Sequence, residues 1–322
     1  MTNKLPINRF SRLAFWASVL AFIVIIMGAY TRLNNAGLSC PDWPRCYGYL
    51  GAPETKAEVL NASKAYPKTP VDTAKAWIEM RHRYLAGLEG LLILALVALS
   101  WRWRKQLPAL AFGLTQVLIA VMFCQVLLGM LTVTALLKPV IVLSHLLLGF
   151  TVMSLLWVVA LLTANQRGRK PFATLPPRFQ PWIVLGLLIL ILQIALGGWV
   201  STHYAGLVCT DLPYCNGVLL PNLHWGQLNT DLVSIHMLHR IGAALTFFYL
   251  AILSLLLMMR RSARPYGLLL AILLLTQISL GILNILWYRP LHLALTHHAV
   301  AALLLLTLLA MLVNIHRQRT KV

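Results

Sequence analysis

Acidic residues are scarce in this chain. Only 8 of 322 residues are Asp or Glu, and charged residues of both signs make up 11%, against about 25% in an ordinary soluble domain. Hydrophobic residues reach 59%, above the roughly 45–50% typical of such domains. So few charges cannot cover so much apolar surface in water, and lipid is the expected solvent. Disorder is excluded by the same numbers, because a disordered chain is polar and strongly charged. Five cysteines in 322 residues also exclude a small disulfide-stapled scaffold. The net charge of +19 does not indicate nucleic acid. Its basic residues lie in short clusters between apolar runs, and the polar face that such a partner needs is lacking.

Runs of about 20 apolar residues mark membrane spans. Eight are found, at roughly 13–31, 82–100, 109–135, 140–163, 181–201, 235–259, 266–287 and 292–315. Five basic clusters flank them: Lys4, Arg9 and Arg12; Arg102, Arg104 and Lys105; Arg167, Arg169, Lys170 and Arg178; Arg260, Arg261 and Arg264; Arg317, Arg319 and Lys321. These hold sixteen of the 27 basic residues and no acid. With eight spans they all fall on one side, which the positive-inside rule makes cytoplasmic, both termini included. The first run is read as a retained span rather than a cleaved signal, since it continues into Gly28–Arg32 without a small-residue cleavage site. The two long loops, 32–78 and 202–231, then face outward. The polar stretch from Pro53 to Lys75 has room for a short helix and carries no evident chemistry.

The chain repeats itself. GAYTRLNNAGLSCPDWPRCYG (28–48) aligns without gaps on GGWVSTHYAGLVCTDLPYCNG (197–217), with nine of 21 positions identical. Met80-Arg81-His82-Arg83 matches Met237-Leu238-His239-Arg240. Gln125, Gly129 and His145 match Gln277, Gly281 and His297. Each copy contains an even number of spans, so the copies share one orientation. The expected architecture is an all-α integral membrane protein of eight transmembrane helices, arranged as two parallel four-helix bundles over 1–165 and 166–322.

A histidine within a span is expensive in lipid and is a functional candidate. His82 and His239 open spans two and six, while His145 and His297 lie about one turn into spans four and eight. Each half thus presents two imidazoles at similar depth from facing helices, the arrangement of a bis-histidine haem site. Zinc would want a third or fourth ligand, and none sits at that depth. The halves differ at Glu79, which shares a helix face with His82, because the aligned residue is His236. A carboxylate at one site only suggests chemistry there and an electron-transfer or prosthetic role for the other; the alternative is that Glu79 merely pairs with Arg83 or caps the start of the helix. Arg83 and Arg240 are candidates for haem propionate contacts or for interfacial anchoring. Glu89, aligned with Thr246, is expected to face the bundle interior. Cys124 reads as a small packing residue.

Cys40 and Cys46, and likewise Cys209 and Cys215, are spaced C-x5-C in the outward loops, where disulfides persist. One disulfide per loop is the leading reading, either as a clamp or as a redox pair. A zinc site using all four cysteines is the alternative.

The whole chain resembles the haem A synthase family. The residues that carry the resemblance are Tyr30-Thr31-Arg32-Leu33, Gly37-Leu38-Ser39-Cys40-Pro41-Asp42-Trp43-Pro44, Glu79-x-x-His82-Arg83 and His145, followed by Cys209, Cys215, His239-Arg240 and His297. The resemblance implies oxidation of the C8 methyl group of haem O to a formyl group by successive hydroxylations. It implies substrate between His82 and His145, Glu79 as the catalytic carboxylate, and haem b between His239 and His297. His298, next to His297, is a competing ligand. Partners implied by the family are haem O synthase and cytochrome oxidase assembly factors, with homo-oligomers also compatible. The cysteine loops and basic clusters fit a bacterial inner membrane with the loops periplasmic. A di-haem b-type electron carrier is the rival; it explains four histidines but not a lone Glu79. A parallel-repeat transporter explains the duplication but not histidines paired at one depth.

Overall fold

A computed structural model describes residues 5–164 and 172–320. Lys4, Arg167, Arg169, Lys170 and Lys321, and the expected boundary at 165/166, lie outside them. Nine α-helices occur among the described residues: α1 (Leu5–Leu33), α2 (Lys56–Ala65), α3 (Thr73–Arg102), α4 (Ala109–Thr134), α5 (Pro139–Ala164), α6 (Gln180–Thr202), α7 (Leu232–Met258), α8 (Arg264–Leu286) and α9 (Leu291–Arg319). All but α2 are long and apolar enough to cross a membrane. Helices are the natural solution there, because each backbone polar group must be satisfied within its own segment. Large side chains such as Trp16, Leu91, Phe123 and Phe248 are more than 60% exposed along these helices, a surface suited to acyl chains. The protein is therefore an all-helical, multi-pass membrane protein.

The chain divides into two compact units, Met1–Thr163 and Ala164–Val322. In the first, α1 packs on α3 and α3 on α4. Ile25 of α1 and Gln125 of α4 both lie against Gly149 of α5. In the second, α6 packs on α7 and α9, α7 on α8, and α8 on α9. The turn from α4 to α5 passes through Leu136 and Leu137 with positive φ, and that from α8 to α9 through Tyr288 and Arg289. Both turns include the same wide backbone bond, Leu137 N to Thr132 O in one and Arg289 N to Asn284 O in the other, as in helix C-caps.

Three helices, α1, α3 and α7, begin earlier than their apolar runs suggest. α3 starts at Thr73, where Asp72 accepts from Lys75 N, and α7 starts at Leu232, where Asp231 accepts from Val233 N. His82 and His239 therefore do not open their helices but sit two turns or more inside them. Hydropathy marks where lipid begins, whereas a capping carboxylate marks where the helix begins.

Each long loop is closed by a disulfide, Cys40–Cys46 and Cys209–Cys215, with Cα–Cα 4.6 Å in both. The aligned aspartates explain why these loops fold alike. Asp42 accepts from Tyr47 N (2.6 Å) and Gly48 N (2.8 Å), and Asp211 from Asn216 N (2.9 Å) and Gly217 N (2.8 Å). Gly48 and Gly217 have φ of +81° and +80°, a conformation that favours glycine. In the first loop the disulfide covers a small core with Tyr47, Ala62 of α2, Ala76 and Met80. α2 itself opens with a capping box between Thr55 and Glu58. In the second, Cys209 and Cys215 pack on Met237.

The Gly217 amide holds the Asp211 carboxyl below its usual range. A group with a lowered folded pKa contributes its stability in full above the unfolded value and loses it as pH falls through the lowered one. Asp211→Ala should thus make Cys209–Cys215 react severalfold faster with a phosphine reductant at neutral pH, read by alkylation and mass spectrometry. The wild-type loop should approach that rate only in acid, and equal rates at neutral pH would show that Asp211 does not hold the loop.

Candidate functional site

The four histidines share one local arrangement. His82 of α3 lies against Gly28 of α1, and a Cβ built on that glycine would stand 3.1 Å from the ring. His145 of α5 meets Gly129 of α4 in the same way at 3.2 Å, His239 of α7 meets Gly197 of α6 at 3.0 Å, and His297 of α9 meets Gly281 of α8 at 3.3 Å. Contacts this short leave no comfortable space for any larger residue, so the glycines let each ring reach the facing backbone.

The residues four positions before these glycines are Val24, Gln125, Gln193 and Gln277. The carbonyls of Val24, Gln125 and Gln277 face His82, His145 and His297, while the Gln193 amide lies 3.0 Å from His239 Nδ1. Such partners fix ring orientation where a histidine ligates a metal. Within each unit the two rings are near enough to interact electrostatically, His145 with His82 and His297 with His239.

His82, His145 and His297 each also keep Nδ1 buried without a hydrogen-bond partner. Buried polar groups are normally satisfied, and an orphaned ring nitrogen calls for an explanation. Two imidazoles per bundle, each set on a glycine that admits it and three of the four with an unpartnered ring nitrogen, are a fitting donor set for an iron porphyrin. No group of three or more His, Cys, Asp and Glu suited to a metal ion occurs among the described residues, and the loop cysteines are paired as disulfides rather than gathered for zinc. Gly28 and Gly197 both stand in the duplicated segment, and Gly129 and Gly281 in the second aligned pair. That repetition was the one signal for the glycines available in the sequence. His297 rather than His298 occupies the position over Gly281, and His292 is exposed.

Glu79 pairs with Arg83, as the alternative reading of the sequence expected, and both also engage the disulfide loop. Glu79 is 4% exposed; its Oε2 accepts from Cys40 N at 2.9 Å, and its Oε1 pairs with Arg83. Arg83 also donates through Nη1 to the carbonyls of Asp42 (3.0 Å), Pro44 (3.3 Å) and Arg45 (2.8 Å). In the second unit Arg240 donates to Asp211 O (3.1 Å), Tyr214 O (2.9 Å) and Cys209 O (2.6 Å). The two arginines thus gather the carbonyls of the disulfide loops. Where Cys40 offers its N–H to Glu79, the equivalent Cys209 offers its carbonyl to Arg240, and the aligned His236 is buried. Glu89 is buried within the bundle, 8% exposed. Cys124 departs from the expectation and lies exposed on α4 beside Phe123. That helix is apolar on every side, so its hydrophobic pattern does not tell the packed face from the lipid face.

A multi-pass helical protein with two half-buried histidine pairs in its bundles, and a carboxylate beside one, belongs to the membrane proteins that handle haem. Residues 11–309 match the cytochrome oxidase assembly protein family COX15-CtaA, and the chain belongs to that family. It is similar to a protein of Shewanella oneidensis named heme A synthase, 40% identical with 90% of this chain and 92% of the relative covered. A heme A synthase of Rhizorhabdus wittichii is 29% identical, with 94% of each chain covered. One of Shouchella clausii is 26% identical over 75% of this chain and 74% of its own.

Removing Arg83 would leave the Glu79 carboxylate buried and unpaired and release three loop carbonyls. Arg83→Ala should destabilise the protein by about 3–5 kcal/mol, as breaking a buried ion pair does, with the loss read as a lowered midpoint in thermal unfolding in detergent. A midpoint within error of the wild type would mean that the guanidinium does not hold the loop.

Proposed function

We propose that this chain oxidises the C8 methyl group of haem O to a formyl group by successive hydroxylations, releasing haem A for cytochrome oxidase. The observation that carries the reading is the pair of matching histidine sites with a buried carboxylate at one alone, in a chain whose relatives are named heme A synthase. The substrate haem lies in the first unit between His82 and His145, and a resident haem b in the second between His239 and His297. Bound haem b supplies one-electron transfer; the chain's own residues hold the rings and fix charge. Withdrawal of two electrons and a proton from the methyl carbon, the electrons passing to an external oxidant, builds positive charge there, and water then supplies the hydroxyl oxygen. Glu79, held by Cys40 N and Arg83, is an anion fixed in advance in a water-poor site, able to stabilise that charge or take the proton. Arg83 and Arg240 carry positive charge at the loop end of each bundle, where propionates would meet it.

The two units are parallel copies of one four-helix bundle, covering 1–165 and 166–322. Both termini are cytoplasmic and the disulfide loops are periplasmic in a bacterial inner membrane, as the basic clusters require. Haem O arrives from a haem O synthase and haem A passes to oxidase assembly factors; a homo-oligomer is compatible with this traffic. A di-haem b-type carrier would need no carboxylate unique to one site, so Glu79 weighs against it.

The test is extraction and reversed-phase separation of haem from protein purified alongside a haem O source. Wild-type protein should yield haem A or a hydroxylated intermediate together with haem B. Glu79→Gln should retain haem while accumulating haem O, its haem A yield lowered at least tenfold. Undiminished haem A in the variant would remove Glu79 from the chemistry, and haem B alone from wild type would favour the electron carrier.

A further inference from the structure

The two histidine pairs are built on one plan but are not held with equal strength. In the second unit both rings touch a glutamine side chain. Gln193 Nε2 lies 3.0 Å from His239 Nδ1, and Gln277 Nε2 lies 3.2 Å from His297 Nε2. In the first unit the residue aligned with Gln193 is Val24, which has no polar group to offer. Gln125 aligns with Gln277 but is turned elsewhere, with its Nε2 3.1 Å from the place where a Cβ on Gly149 would stand.

A cause for that turn can be read from the sequence. Gly149 lies one helical turn beyond His145, and its counterpart one turn beyond His297 is Ala301. The bare backbone at Gly149 gives the Gln125 amide a place to lie, and a methyl group there would crowd it. Ala301 carries that methyl, and Gln277 is directed to the imidazole instead.

From these contacts we infer that Gln193 and Gln277 are positioning residues that make the second histidine pair the retentive one, while Val24 and Gly149 leave the first pair free to exchange its haem. The inference rests on the haem-binding reading above. An imidazole that binds metal through one nitrogen carries its proton on the other. Gln193 Oε1 and Gln277 Oε1 are both buried without a partner. A half-turn of each amide exchanges its oxygen and nitrogen, bringing that oxygen to accept the ring proton; Gln193 then gives up its bond to the His239 carbonyl. An acceptor there makes the imidazole a stronger donor to iron and fixes its orientation, and losing such a partner typically weakens metal binding by about 10–100-fold. His82 and His145 face the backbone carbonyls of Val24 and Gln125, as His297 faces that of Gln277, and what the first pair lacks is a glutamine side chain on either ring. A site that must take in one haem and release another each cycle is served by that looser hold, and a resident electron carrier by the tighter one.

The experiment uses the purified full-length protein with its bound haems. Haem loss to excess apomyoglobin is followed by absorbance, the remaining haem is typed by reversed-phase separation, and the midpoint potential of the haem B is measured. In wild type, haem O and haem A should leave at least tenfold faster than haem B. Gln193→Val combined with Gln277→Leu should speed haem B loss about tenfold and raise its midpoint potential, with haem O and haem A loss unchanged. The reverse change, Val24→Gln with Gly149→Ala, should slow loss of haem O and haem A severalfold and leave haem B alone. The reverse pair guards against misfolding, because a damaged bundle does not hold haem longer. Unchanged haem B loss and potential in the first variant, or faster haem O loss in the second, would overturn the inference. Wild-type protein without two kinds of haem would instead overturn the reading on which it rests.

Discussion

Four imidazoles press against four glycines at distances that leave little space for a Cβ. A histidine in a lipid-embedded bundle has few ways to satisfy a ring nitrogen, since no water is at hand and neighbouring side chains are mostly apolar. The backbone carbonyls of the facing helix are an available acceptor, yet ordinary side chains keep helix axes 8–10 Å apart. Glycine at the contact brings the ring to the backbone. With the ring anchored on one side, its other nitrogen is left for a ligand. The positions of α1 against α3 and of α6 against α7 follow from this requirement as much as from apolar packing.

The disulfide loops meet these bundles through a small set of bonds, and the same residues serve loop and site. Asp42 and Asp211 close the turns, and Arg83 and Arg240 collect loop carbonyls. In the first unit Glu79 takes the Cys40 amide proton as well. The carboxylate proposed for the chemistry is therefore held partly by a residue of the disulfide. Its geometry depends on that loop being closed, which gives the cysteines a structural reason to be there.

Duplication followed by small departures accounts for the difference between the units. Among the positions that separate them near the rings, three bear on the site: Glu79 against His236, Val24 against Gln193, and Gly149 against Ala301. None changes the helices, because each is a single side chain on a shared framework. One sets a fixed charge beside the first pair, and the other two set how many hydrogen bonds a ring receives. In a medium of low dielectric such changes carry more weight than they would in water.

Much of this protein is legible along single stretches of its chain. The eight apolar runs became eight spanning helices, the cysteine spacing became two loop disulfides, and the duplication brought the four histidines and Glu79 into view. These features were legible because each depends on composition or spacing along one segment. Other features arise only where helices meet. α3 begins at Thr73 rather than at its apolar run because Asp72 caps it, and Cys124 faces outward because an all-apolar helix carries no mark of its packed face. The hold of Arg83 on the loop, the seat of each ring on its glycine and the turn of Gln125 toward Gly149 depend on how one helix is rotated against another. Helix rotation in a bundle is fixed by contacts between residues far apart in the chain, and no single segment contains that information.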